Sequence, residues 1–305
     1  MKNVALALAS GGPRGFAYIG AIEELLSRGY NITSVAGASA GSLVGGIYAA
    51  GGLQAFKEWL FSLDPVKVVT LMDVSVSKNY LVKGERIINE IKTKVPDVNI
   101  EDLPIPFTAI ATDLFTGEEV IFREGPLFDA IRASISIPSM FKPVRWKGRT
   151  LVDGGMVNTF PLNRVKRTPG DILVGFNVNQ IDAAEIQGFL DSRAELVQEK
   201  KDSDKSLLDR IQAGLRQRQL EASASGSWIP VGADDNFASI LQRSFGIMNC
   251  TIARMGIELA KPDILVNLPF DSYHGVYGYS HAEEVATQGR QLMAQALDEY
   301  EKKNA

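Results

Sequence analysis

Histidine and cysteine are the scarce residues of this 305-residue chain. His274 and His281 are its two histidines, and Cys250 is its one cysteine. A single cysteine excludes an intramolecular disulfide and a cysteine-built zinc cage. Two histidines, both late in the chain, leave few candidates for any mechanism that takes its base from an imidazole. A basic excess is also missing. Lys and Arg total 32 against 36 for Asp and Glu, a formal net charge of -4, which argues against a broad nucleic-acid-binding surface. No run reaches the ~20 apolar residues of a membrane-spanning helix. The N-terminus imitates a secretory signal, with Lys2 ahead of Val4 to Ala9, but six apolar residues fall short of the usual ~7–15. Cleavage there would also release a strand lying directly before a Gly-rich turn. What is present, 45% hydrophobic and 22% charged residues, describes an ordinary globular chain rather than a disordered one. The expected location is cytoplasmic.

The order of elements reads as α/β. Residues 3–9 form a short apolar strand followed by Ser10-Gly11-Gly12-Pro13-Arg14-Gly15. Phe16, Ile19, Ile22, Leu25 and Leu26 then recur at helical spacing up to Gly29. Residues 32–37 read as a second strand. A small-residue helix follows, with Leu43, Val44, Ile47 and Tyr48 on one face. Strand, helix, strand, helix is the opening of a domain with a parallel sheet. Residues 84–95 predict an amphipathic helix. Residues 107–112 and 119–122 predict strands around a turn at Thr116-Gly117. Two more strands are expected at 171–178 and 264–268, and a closing helix at 281–300. Residues 182–235 differ: they are charge-dense, lack strand signals and predict two amphipathic helices, an insertion into the α/β frame.

Gly37-Ala38-Ser39-Ala40-Gly41 is a G-x-S-x-G sequence between a predicted strand and a predicted helix, the context of a nucleophile elbow. There the serine sits in a strained turn beside a helix N-terminus, whose amides favour developing negative charge. The Gly11-Gly12 loop ends the first strand in the same way and suits a phosphate or an oxyanion. It is also a broken dinucleotide fingerprint. The acidic residue that a Rossmann site places after its second strand is missing, because that strand runs into Ala38-Ser39-Ala40. A serine hydroxyl needs a base. The order Ser, Asp, His is formally available, but in α/β-hydrolases several strands precede the elbow and here only 38 residues do. A Ser–Asp pair is the alternative: Leu151-Val152-Asp153-Gly154-Gly155 places a carboxylate at the end of an apolar run before two glycines. Taken alone, each of these motifs also reads as a tightly packed turn, and Asp153 as a carboxylate capping local amides.

Taken in order, Gly11-Gly12-Pro13-Arg14-Gly15, Gly37-Ala38-Ser39-Ala40-Gly41 and Asp153-Gly154-Gly155 resemble the patatin-like phospholipase family. The likeness continues through Ala133 to Pro138, Phe141 to Val144 and Asn158 to Leu162, and through Ala111 to Leu114 with Thr116-Gly117. It covers roughly residues 3–180. The resemblance implies one patatin-like domain over 1–305. Its fold would be three-layer α/β/α around a mostly parallel sheet, with the insertion at 182–235 and a closing strand and helix at 262–300. It implies a Ser–Asp dyad without histidine: Ser39 as nucleophile and Asp153 as base. Gly11, Gly12, Arg14 and Ala40 would form the oxyanion hole, while Gly15, Gly37, Gly41, Gly154 and Gly155 support the motifs. In this chain Ser10 replaces the family's first glycine, and Pro13 has no N–H to donate.

The implied activity is hydrolysis of lipid acyl esters, as in a phospholipase A or lysophospholipase, through an acyl-enzyme. Acyl transfer by the same dyad and a catalytically silent regulator are the other readings of the same motifs. No metal or cofactor is called for. Aspartate is a weak base, with a reference pKa of ~3.9, so an enclosed Asp153 is expected. The expected partners are a lipid or other acyl ester, no nucleic acid, and a second copy in a homodimer. Residues 186–220 are the segment for peripheral contact with the inner face of a membrane, since from Lys205 to Arg218 the bases Lys205, Arg210, Arg216 and Arg218 outnumber Asp209; the other reading is that they cover the core as solvated helices or form a dimer contact.

Overall fold

Val4, Leu6 and Leu8 alternate with Ala5, Ala7 and Ala9 along the first strand, and both sets are buried. A strand covered on both faces belongs inside a layered α/β sheet. In a computed structural model of the chain, which describes residues 2–71, 82–181, 237–270 and 275–304, β1 (Lys2–Leu8) lies near the middle of such a sheet. The chain continues through α1 (Ala17–Ser27), β2 (Tyr30–Ala38), α2 (Ala40–Ala49), α3 (Leu53–Phe61), α4 (Pro65–Leu71) and α5 (Glu85–Lys92). Next come β3 (Phe107–Asp113), β4 (Glu119–Phe122), α6 (Leu127–Ser134), β5 (Val144–Trp146), β6 (Arg149–Asp153) and β7 (Ile172–Gln180). After residue 236 follow α7 (Phe237–Ala260), β8 (Ile264–Pro269), α8 (Gly275–Ser280) and α9 (Ala282–Lys303). The expected insertion at 182–235, the proposed membrane contact at 186–220 and His274 lie outside the described residues.

The strands pair in the order β5-β6-β3-β2-β1-β7-β8, with β4 also on β3. β1, β2, β3, β7 and β8 run parallel, while β4, β5 and β6 pair antiparallel. The sheet is therefore mixed and mostly parallel, as expected. The larger side chains of β1 join the main core with α1, α2, α6 and α9. Its alanines meet a smaller cluster of Phe160, Leu162, Val165 and Ala253, the last of these on α7. Helices thus cover both faces. Two glycines set how near the helices of the main face come. A Cβ at Gly20 on α1 would lie 1.9 Å from the Ala286 carbonyl oxygen on α9, and one at Gly289 would lie 2.0 Å from that of Ala17.

One detail of register positions the site. Ala109 and Ile110 of β3 pair with β2 and β4, whereas Ala111 and Thr112 pair with β4 and β6. A strand has two edges, and β4 occupies one of them throughout. β2 and β6 therefore share the other, end to end. Ala38, the last residue of β2, is opposite Ile110, and Asp153, the last residue of β6, is opposite Ala111. The two strands run toward each other and end together.

Candidate active site

At the end of β2 the backbone turns through Ser39 with φ 51° and ψ -120°. A non-glycine residue rarely adopts such a conformation, and holding it costs of order 1–3 kcal/mol unless its surroundings fix it. The two flanking glycines let them do so. A Cβ on Gly37 would lie 2.3 Å from the carbonyl carbon and oxygen of Gly41. A Cβ on Gly41 would lie 2.2 Å from the Leu8 carbonyl oxygen on β1. The elbow closes because neither position carries a side chain. α2 begins directly at Ala40, so the hydroxyl stands beside a helix N-terminus.

Ser39 Oγ donates a 2.5 Å hydrogen bond to Asp153 Oδ2 across a sequence separation of 114. Both residues are buried, 3% and 4% exposed. The other carboxylate oxygen, Oδ1, accepts the Gly155 N–H at 2.7 Å. Gly154 lies so close to β3 that a Cβ there would be 2.1 Å from the Ile110 carbonyl oxygen. Burial pushes the Asp153 carboxyl up from 3.8 to about 6, although the bonds from Ser39 and Gly155 pull the other way. Asp153 is thus enclosed, as a weak carboxylate base would require.

The loop between β1 and α1 closes against Ala40, next to Ser39, and against Gly155, two residues after Asp153. A Cβ on Gly15 would be 2.5 Å from the Ala40 Cβ, and one on Gly155 would be 2.6 Å from Ser10 Oγ. The Ser10 amide donates to the Thr159 carbonyl at 2.7 Å, and the Ser10 carbonyl accepts from Asn179 Nδ2 at 2.6 Å. Gly12 has φ 58° and opens a short 3-10 turn over Gly12–Phe16. The Arg14 guanidinium points to Phe270: its Nη1 donates to the Phe270 carbonyl and its Cζ sits 4.5 Å from that ring's centroid. The glycine motif, Ser39, Ala40 and the Asp153-Gly154-Gly155 turn are brought together. His281 lies at the start of α9, with Nδ1 3.1 Å from Ser280 Oγ.

Sequence reasoning missed the strap that holds the pair. Ser134, at the end of α6, accepts the Ser39 N–H on its hydroxyl oxygen at 2.9 Å, and the Ser136 carbonyl accepts the Asp153 N–H at 2.9 Å. Thr112 Oγ1 donates to the Asp153 carbonyl at 2.8 Å. Tyr279 on α8 was missed too. Its ring meets Phe16 edge-on at 5.7 Å, and its hydroxyl is pushed up to about 12, first by burial and then by the negative charge of Asp153. The run Ala133-Ser134-Ile135-Ser136-Ile137-Pro138 was visible as part of the family likeness, but nothing in it says which backbone amides its two serines will meet. Ser134→Ala is expected to cost about 1–3 kcal/mol in urea unfolding, because it leaves the buried Ser39 amide without its acceptor. An unchanged midpoint would count against that bond.

A strained serine on a strand-to-helix elbow, bonded to a buried aspartate, sets a hydroxyl beside a group able to accept its proton. The chain belongs to the patatin-like phospholipase family, a family of lipid acyl hydrolases, whose model matches residues 6–165. An uncharacterized NTE family protein of Mycobacterium tuberculosis is 35% identical over 98% of this chain and 92% of its own length. A patatin-like phospholipase domain-containing protein of Caenorhabditis elegans is 30% identical over 62% of this chain and 14% of its own. Among solved structures, VipD of Legionella pneumophila aligns with a TM-score of 0.46 at 15% identity, over 97% of this chain and 67% of that one. Among the described residues no helix is long and apolar enough to cross a membrane.

Proposed function

We propose that the protein hydrolyses lipid acyl esters, as a phospholipase A or lysophospholipase does, with Ser39 as nucleophile and Asp153 as general base. The observation that carries this reading is the 2.5 Å hydrogen bond from Ser39 Oγ to a buried Asp153. Ser39 Oγ bonds to the ester carbonyl carbon as its proton passes to Asp153. Negative charge collects on the carbonyl oxygen, facing the amides of Gly11, Gly12 and Ala40, with Arg14 in the same turn. Each such donor is typically worth about 3–4 kcal/mol. The ester C–O bond breaks, and Asp153 returns the proton to the leaving alcohol. Water then adds to the acyl-serine and gives its proton to Asp153. Collapse frees the fatty acid, and Ser39 recovers its proton.

A base must be ionised to act, so a carboxyl raised to about 6 predicts the pH response. The function is tested by labelling with a fluorophosphonate, which reacts with an activated serine. Ser39 is expected to be the residue modified, with a rate that rises through about pH 6 and levels off above it. Absence of label, label on another serine, or a flat rate from pH 4 to 8 would overturn the assignment.

A further inference from the structure

Ligands of open α/β sheets enter at the carboxyl ends of the parallel strands, which is where Ser39 stands. β3 runs past that level. Ala38 is opposite Ile110, so Leu114, four residues on, lies about 13 Å further out at ~3.3 Å per residue. Leu114 and Phe115 form the tip of the β3–β4 hairpin and are 47% and 78% exposed. The turn is held in place: the Phe115 amide donates to Asp113 Oδ1 at 3.1 Å and the Gly117 amide to the Asp113 carbonyl at 2.9 Å. An apolar pair is thus fixed outward at the end from which substrate arrives.

The neighbouring β5–β6 hairpin is basic. The Leu114 amide donates to the Thr150 carbonyl at 2.8 Å, which joins the two hairpins. Residues 144–149 carry Arg145, Lys147 and Arg149 and no acid, in a chain with net charge -4. Arg149 pairs with Glu118 at 2.8 Å and lies 3.6 Å from Asp113. Arg145 bonds the Thr150 hydroxyl, and the Lys147 ammonium sits 4.5 Å from the Trp146 ring centroid. Both Arg145 and Lys147 are exposed. Outward aromatic and aliphatic side chains beside Arg145 and Lys147, which have no ion pair among the described residues, match a membrane interface, where rings lie at headgroup depth and cations face anionic lipids.

We infer that these two hairpin tips form a docking rim for an anionic lipid surface. The inference rests on the lipid-ester reading of the site and adds how that site is presented to its substrate. It concerns residues other than 186–220.

The test uses the full chain carrying Ser39→Ala, so that vesicles are not consumed. It is sedimented with vesicles of phosphatidylcholine alone and of phosphatidylcholine mixed with phosphatidylglycerol. Binding to the mixed vesicles is expected, weakening as salt rises. Phe115→Ser should reduce it about tenfold, and so should Arg145→Gln with Lys147→Gln. Melting curves confirm that these surface variants are folded. Four results would overturn the inference: no binding; binding equal for neutral and anionic vesicles; binding undiminished by Phe115→Ser; or vesicle-free sedimentation that Phe115→Ser abolishes, which would make the tip a contact between protein copies. Binding is read without turnover, so its failure is separate from failure of the Ser39–Asp153 chemistry, which the fluorophosphonate reports.

Discussion

Asp153→Asn is expected to abolish ester hydrolysis while making the protein more stable at neutral pH. Loss of the proposed general base should lower kcat by about a thousandfold or more. The stability change follows from the raised carboxyl. Between 3.8 and about 6 the folded chain holds a proton at Asp153 that the unfolded chain has released, so stability falls as pH rises through that interval. Above it the fold carries a buried charge at a cost on the order of 3 kcal/mol. Asparagine keeps the shape, accepts the Gly155 N–H and carries no charge. The gain should therefore be full above about pH 6 and vanish near pH 4. Urea unfolding of both forms at pH 4 and pH 8, beside p-nitrophenyl ester turnover, measures both effects. Retained turnover would sink the proposed role of Asp153. An equal stability difference at the two pH values would mean that burial does not hold the carboxyl up. A site that weakens its own fold to keep the proposed base available would be a familiar trade between stability and activity.

Gly41→Ala is expected to be strongly destabilising. The added methyl would lie 2.2 Å from the Leu8 carbonyl oxygen, 2.7 Å from the Leu8 carbonyl carbon and 2.8 Å from the Ala9 carbonyl oxygen. All three are backbone atoms of the central strand and of the loop leaving it, so no side-chain rotation relieves the clash. Either α2 lifts from the sheet or β1 shifts, and a loss of about 3 kcal/mol or more should follow. Gly12→Ala is the control. Gly12 has a positive φ, 58°, and nothing lies within 4 Å of a Cβ there. It should cost only about 1 kcal/mol of backbone strain. If the two variants unfold at the same urea concentration, close approach is not the reason for the second glycine of the elbow.

Much of the frame could be read from the sequence, because its signals are local. The buried run before Gly11, the helical spacing from Phe16 to Leu26 and the apolar run of residues 171–178 correspond to β1, α1 and β7. Thr116-Gly117 predicted the turn between β3 and β4, where Gly117 has φ 71°. The histidine shortage directed attention to a carboxylate, and the carboxylate chosen is the one that Ser39 meets. The supports of the site were not legible. That Ser134 receives the Ser39 amide depends on where α6 ends in space. That the Arg14 guanidinium turns to Phe270 depends on a segment 256 residues away.

By itself the sequence determined the elbow. Gly37, Ser39 and Gly41 mark a strand-to-helix turn whose tight closure between Gly37 and Gly41 is a local requirement, while the approach of Gly41 to Leu8 on β1 belongs to the packed sheet. It also narrowed the base by offering so few imidazoles. Tertiary structure alone decided that Ser39 and Asp153 meet. β2 and β6 come from distant parts of the chain and share one edge of β3, parallel and antiparallel, so that their last residues face successive partners, Ile110 and Ala111. Pairing register fixes that meeting, and no stretch of sequence specifies register across more than a hundred residues. The raised carboxyl belongs to the same level, because burial is a property of the packed molecule rather than of Asp153.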